Sequence, residues 1–354
     1  MRAFEPMQLD LSPMWNWSGV VIAGMLNGSF AFPLKTARTW KFDHIWMVHS
    51  LLAMVALPWA IVFITVPSWS ETLGAVSPTG WLGLVGWGLL FGIGSLLYGV
   101  AVDLLGIALG FAIQLGLSIV LGSLLPLFWA RAISLRSRED WLFALGLALM
   151  VAGVLVCAQA GGKKSASLPG SGPGGASSRP GRDKFRAGLI IALVGGILAP
   201  TLNFGIQYGT NLLAKTGETA GRGGFPAVIY LAWAVFLSAA AMVQAGYCFW
   251  RLVRTGQMSA LGAPGAARDA SQVAVMSSLW IASVFIYGRS AFGLGRLGNS
   301  FGWPIFIALI ILTSNAWGVI LGEWRGASRS TFYRMLAGSA VLILAAFLIG
   351  QGKR

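Results

Sequence analysis

A chain of 354 residues with 56% hydrophobic and only 10% charged side chains departs from the soluble norm of about 25% charge. No soluble fold of this length hides so much apolar surface, so lipid is the implied solvent. The net charge of +14 comes without a basic helix or an aromatic RNA-binding signature, which argues against nucleic acid.

The chain begins MRAFEPMQLDLSPMWNW, with acids and a proline where a signal peptide would be basic, and no small-residue cleavage site follows. The first apolar run therefore reads as an uncleaved span. About 20 apolar residues cross a bilayer as a helix. Ten such spans are predicted, at 16–34, 44–66, 80–103, 105–130, 141–160, 187–213, 225–250, 271–289, 300–322 and 331–351.

Between the first two lies a basic knot, SFAFPLKTARTWKFDHIW, with Lys35, Arg38 and Lys41. Only Asp103 and Gly106 separate the third span from the fourth. Gly88 with Gly92, and Gly106, Gly110 and Gly116, recur at spacings near four, which lets helix backbones approach closely. Pro33, Pro58, Pro200 and Pro304 are expected kinks or hinges. Cys157 and Cys248 sit inside apolar runs and read as small core residues.

The segment Gly161 to Arg186 is rich in Gly, Ser and Pro, with six basic residues, and reads as a flexible linker. It divides the chain into five spans at 1–160 and five at 187–354. The third span ends LLYGVAVDLLG and the eighth FIYGRSAFGLGRLG, so Tyr98-Gly99 and Tyr287-Gly288 are equivalent. An odd number of spans per half makes the repeat inverted, with a solute site near the midplane. The expected class is thus an all-α membrane protein of ten transmembrane helices in two inverted five-helix repeats. With the N-terminus outside, 15 of the 25 basic residues fall in inner loops, including the basic knot, although Arg131, Arg136 and Arg138 count against that orientation. Both termini are therefore expected outside.

FAFPLKTARTWKFDHIW, with LPWAI at Leu57–Ile61, resembles the L-rhamnose–proton symporter family of the drug/metabolite transporter superfamily. Phe30, Pro33, Lys35, Arg38, Trp40, Asp43 and Trp46 carry that likeness. So do GIGSLLYG at Gly92–Gly99 and GVILGEWRGASR at Gly318–Arg329. The stretch from about 141 to 300 matches more loosely. The resemblance implies the superfamily's fold, location in the inner membrane, and proton-coupled sugar uptake. Asp103 and Gln114 depart from the family pattern, where a basic and a small apolar residue stand, and these are the places where a changed solute or coupling would show.

Polar groups inside spans face the bundle or a water-filled path. Asn27, Ser29, Gln114, Ser118, Asn203, Gln207 and Asn315 are such groups, and their spans (one and six, four and nine) correspond across the halves. Amides offer donors and acceptors to a polyol, and Phe30, Trp59, Tyr98, Tyr208 and Trp303 offer faces for stacking a monosaccharide. Gln114, Asn203 and Gln207 are expected to share a cavity with Trp59 and Phe30. The competing reading is that buried amides merely join helices. Spans five and ten, without central amides or charges, are expected at the periphery.

Asp103, with no charged residue within ten positions, is the expected proton carrier and His49 the fallback. The competing reading is that Asp103 caps the fourth helix from a solvated turn. Asp43 and Glu323 read as ion-pair partners of Lys41 and Arg325. The only histidines, His44 and His49, come without a nucleophile or metal-ligand spacing, so neither an enzyme nor a metal site is expected. No cofactor is called for, and no nucleotide-binding loop is present. An exporter or facilitator on the same fold is the alternative reading.

Overall fold

The computed structural model describes residues 12–33, 37–105, 107–129, 136–167, 182–214, 227–295 and 298–351. These are helical almost throughout, with no strand among them. In chain order the helices are α1 Ser12–Ser29, α2 Phe42–Thr65, α3 Trp69–Ala75, α4 Pro78–Leu105, α5 Ile107–Trp129 and α6 Arg138–Ser167. Then follow α7 Arg182–Leu198, α8 Thr201–Ala214, α9 Ile229–Arg254, α10 Ala266–Gly293, α11 Gly298–Ile320 and α12 Arg329–Gln351.

Among the described residues eight helices are long and apolar enough to cross a membrane, α7 and α8 together counting as one. A shorter apolar helix, Ala112–Phe128, lies within α5. Large apolar side chains such as Ile22, Phe63, Ile64, Ile190, Met242 and Phe347 stand exposed, which a surface in water would not tolerate so broadly. The protein is a multi-pass membrane protein.

Prolines shape two of the helices. Pro200 has no N–H to donate, and the chain breaks there between α7 and α8, with the Thr201 hydroxyl turned back to the Leu198 carbonyl at 2.5 Å. In α2 the turn Leu52–Ala56, just before Pro58, widens to π geometry, and the Leu57 N–H reaches the Leu52 carbonyl.

Four boundaries differ clearly from the sequence expectation. The first helix ends at Ser29, well short of 34. Helix α10 starts at Ala266, which takes Asp269 inside the span. Helix α6 continues to Ser167 and α7 starts at Arg182 instead of 187, so both ends of the Gly/Ser/Pro-rich segment are helical; its centre, 168–181, lies outside the described residues.

The packing has a reciprocal pattern. Helix α1 lies against α10 and α11, while α7 and α8 lie against α4 and α5. Helix α4 packs on α9 as α2 packs on α10, and α6 pairs with α12 away from the centre. Close approach is carried by glycine: a side chain at Gly92 would meet the Ala240 carbonyl at 2.8 Å, and Gly88 lies against the Phe236 carbonyl in the same way. Cys157 and Cys248 are buried free thiols.

Candidate functional site

Helix α10 carries the buried polar groups that tie the centre together. Asp269, Ser277, Ser283 and Tyr287 follow one another along it, all nearly inaccessible. Each reaches a different element. Asp269 accepts the backbone N–H groups of Arg38, Thr39 and Trp40, at 3.1, 2.7 and 2.7 Å. Ser277 bonds His49 Nδ1 on α2 at 3.0 Å, and Ser283 accepts from Asn27 Nδ2 on α1 at 3.1 Å. The Tyr287 hydroxyl donates to Asn203 Oδ1 on α8 at 3.1 Å.

The last bond defines the most unusual spot in the molecule. Asn203 sits in the first turn after the Pro200 break and is 0% exposed, yet its Nδ2 has no hydrogen-bond partner. A buried donor left unpaired costs about 1–3 kcal/mol, so its persistence calls for an explanation. The Tyr287 ring that fixes the Asn203 oxygen is itself held, stacked on Phe306 at 4.5 Å and edge-on to Trp303 at 5.8 Å. Trp303 Nε1 in turn donates to the Ser118 carbonyl on α5 at 3.0 Å, and Gly122 leaves room for the indole.

One turn before Ser118, Gln114 is 1% exposed, and its Nε2 also lacks a partner. That nitrogen lies against Gly195, where a side chain would displace it. Two orphan amide donors therefore lie at the two ends of one chain of contacts: Gln114 in α5, then Ser118, Trp303, Tyr287 and Asn203. One helical turn beyond Asn203, a cavity of about 380 Å³ opens between α8 and α10. Gln207, Thr210 and Asn211 line it with Gly288. Its volume is in the range of small-ligand pockets.

A second polar spot surrounds His49. Its ring lies among Phe30, Trp46 and Trp280, with centroids at 6.0, 5.5 and 5.8 Å. The neighbouring Ser50 donates to Gln244 Oε1 on α9 at 3.4 Å, and Gln244 Nε2 is a third buried amide nitrogen without a partner. The buried hydroxyls of Ser123 and Ser300 lack partners as well.

The remaining expected residues are spread more widely. Neither Trp59 nor Phe30 lines the cavity with Gln207; Trp59 Nε1 donates instead to Ser238 on α9 at 3.0 Å. Tyr208 reaches the Gly80 carbonyl at 3.4 Å, toward the start of α4. Asn315 faces α6 and α12, where its Nδ2 lies 3.3 Å from Ser339 Oγ and 3.7 Å from Cys157 Sγ. Tyr98 is half-buried on α4, and the Asp103 side chain lies outside the described residues.

The ion pairs exist with other partners than sequence neighbours. Asp43 pairs with Arg251 at 3.2 Å, and Glu323 with Lys164 at 2.6 Å. In both cases the cation comes from another span, brought close by the fold. No group of described residues could hold a metal ion.

Sequence reasoning missed Asp269, Tyr287 and Gln244. Asp269 falls two residues before the expected eighth span at 271–289, whereas the helix begins at Ala266. Tyr287 was noticed as the repeat counterpart of Tyr98, and that equivalence was the signal that could have placed it in the site.

The likeness first read from short blocks extends over the chain. A family model for the L-rhamnose-proton symport protein matches residues 10–354. The chain belongs to that family. The L-rhamnose-proton symporter of Escherichia coli (strain SMS-3-5 / SECEC) is 24% identical over 356 residues, covering 97% of this chain and 98% of the relative. That of Klebsiella pneumoniae subsp. pneumoniae is 23% identical over 354 residues, with coverage of 97% and 98%. As a member of a symport family the chain is a transporter and not an enzyme. Its buried polar groups are then to be understood as solute and ion contacts or as helix joints, and no bond-breaking machinery is required of them.

Proposed function

We propose that this symporter takes up a small sugar of the L-rhamnose class together with protons, across the inner membrane, by alternating access. The observation that carries the reading is the pair of buried, unpartnered amide donors, Gln114 Nε2 and Asn203 Nδ2, in a chain of this family. Sugar hydroxyl oxygens are acceptors that would satisfy them, and Trp303 and Tyr287 supply the ring faces between. Gln207 and the cavity beyond it form the approach.

The architecture in this reading is ten spans, α1 and α5 joining the eight longer ones, in two inverted halves joined by the 161–186 segment. The reciprocal packing supports it: exchanging α1 with α7 and α8, α2 with α9, α4 with α10, and α5 with α11 reproduces the main helix contacts. The Pro200 break and the π turn before Pro58 occupy corresponding helices of neither half, and each gives its span a place to flex. Both termini lie outside. Asp269 and Arg251 then fasten the basic knot from the inner side, so the knot closes the two halves together as well as orienting the chain.

Protons are carried by His49 and Asp103. His49 is an imidazole between the halves, bonded to Ser277 and set among Phe30, Trp46 and Trp280. Uptake of labelled L-rhamnose into proteoliposomes, with and without an inward proton gradient, tests the proposal. Gradient-driven accumulation is expected in the parent and its loss in His49→Gln or Asp103→Asn. Equilibration without accumulation in the parent would make the chain a facilitator, and no sugar entry at all would sink the sugar reading.

A further inference from the structure

The block GVILGEWRGASR, Gly318 to Arg329, takes no part in the polar centre. It builds a separate cavity of about 340 Å³ where α11 passes to α12. Two guanidinium groups, Arg325 and Arg329, line this cavity together with the rings of Trp324, Phe332 and Tyr333.

The loop is held in one shape. Gly322, with φ 71°, takes the left-handed turn that closes α11, and the Glu323 N–H returns to the Gly318 carbonyl at 2.9 Å. A side chain at 322 would strike Arg325, whose guanidinium folds back over that turn. The block's one carboxylate, Glu323, is taken by Lys164 from α6, and the same ammonium lies 4.9 Å from the Trp324 ring centre. Among the described residues neither Arg325 nor Arg329 has a carboxylate partner. The cavity is therefore cationic by construction, with its nearest acid already neutralised.

Its surroundings are apolar and exposed. Ile320 is 69% and Tyr333 65% accessible, and Leu321 and Leu336 stand open beside them. A soluble anion would gain nothing from those side chains, whereas an acyl chain would cover them.

We propose that this cavity binds the phosphate of an anionic phospholipid, whose chains run down the exposed face of α11 and α12. Guanidinium groups bind phosphate through paired hydrogen bonds, and aromatic rings settle at the headgroup level. Basic pockets between transmembrane helices are the known form of such sites.

The full chain in nanodiscs of phosphatidylcholine, with or without phosphatidylglycerol, provides the test. A lipid bound only to the folded state raises apparent thermal stability. The parent should melt several degrees higher with phosphatidylglycerol, and the Arg325→Gln/Arg329→Gln variant should lose that gain. Arg254→Gln/Arg268→Gln, with the same loss of charge elsewhere, should keep it. Equal loss in both variants would mean bulk charge attraction and overturn the site. An equal gain from inorganic phosphate in phosphatidylcholine alone would overturn the lipid as occupant. Photoactivatable phosphatidylglycerol on the parent chain decides independently of any variant's folding: labels within 319–333 support the proposal, and labels confined elsewhere reject it.

Discussion

The junction of α8 with α10 and the junction of α6, α11 and α12 each hold an asparagine amide, and they treat it differently. At the first, Asn203 gives its oxygen to Tyr287 and keeps an unpaired, fully buried nitrogen. At the second, the nitrogen of Asn315 is engaged by Ser339 and Cys157, at the contact with the outermost helix pair. Both looked alike in the sequence, as amides within apolar runs. An amide satisfied by its neighbours joins helices; a held amide with a donor to spare has a vacancy for an acceptor. Burial differs as well, since Asn203 is inaccessible and Asn315 only half-buried, so burial and hydrogen-bond satisfaction set the two amides apart in the same direction.

The sharpest break of the contrast is Asn203→Ala. Removing the spare donor should weaken L-rhamnose binding by roughly 1–3 kcal/mol, as should Gln114→Ala, since in the proposed reading each deletes a donor to a sugar hydroxyl. Isothermal titration calorimetry reads the change directly. Unchanged affinity in both variants would return these amides to the class of Asn315.

Gly122→Ala acts on the support of the site. A methyl group there would overlap the Trp303 indole, which has Tyr287 and Phe306 on its other sides. Overpacking of this kind costs about 1–3 kcal/mol of stability, and a lowered melting temperature is expected. A silent substitution would show that Trp303 is free to move, and that the rigid chain from Gln114 to Asn203 is not rigid.

Tyr287→Phe keeps the ring and removes only the hydroxyl that orients Asn203. The expected loss is about 1 kcal/mol in sugar affinity, smaller than that of Asn203→Ala because the amide remains. Crossing the two substitutions should give strong coupling, as expected of residues in direct contact. Additive losses would mean the hydroxyl does not hold the amide.

The sequence made the membrane class, the segmental pattern and the amides legible, because apolar run length and polar interruption are local properties. Partners were not legible. Asp43 was assigned to Lys41 and Glu323 to Arg325, whereas the fold supplies Arg251 and Lys164 from distant spans. Tyr287 and Asn203 stand 84 positions apart, and nothing in either segment announces their bond. Asp269 lies just outside the expected span at 271–289 and inside the helix that starts at Ala266, so a difference of five residues separates an acid before a span from a buried one. Pro200 was among the expected kinks, but its missing N–H did not by itself foretell a break, since Pro304 lies inside a continuous helix.

The smallest effect expected is that of Asn315→Ala. Its hydrogen bonds join α11 to α12 and to α6, away from the proposed sugar site, so the loss should fall on stability. Hydrogen bonds between transmembrane helices average about 0.6 kcal/mol, because an unpaired amide in the denatured membrane state also finds partners. A melting temperature lowered only slightly, with sugar affinity unchanged, is therefore the expected result. If affinity fell as far as in Asn203→Ala, the α6 and α12 contact would belong to the solute path. The distinction between satisfied and unsatisfied amides would then fail where it was drawn most clearly.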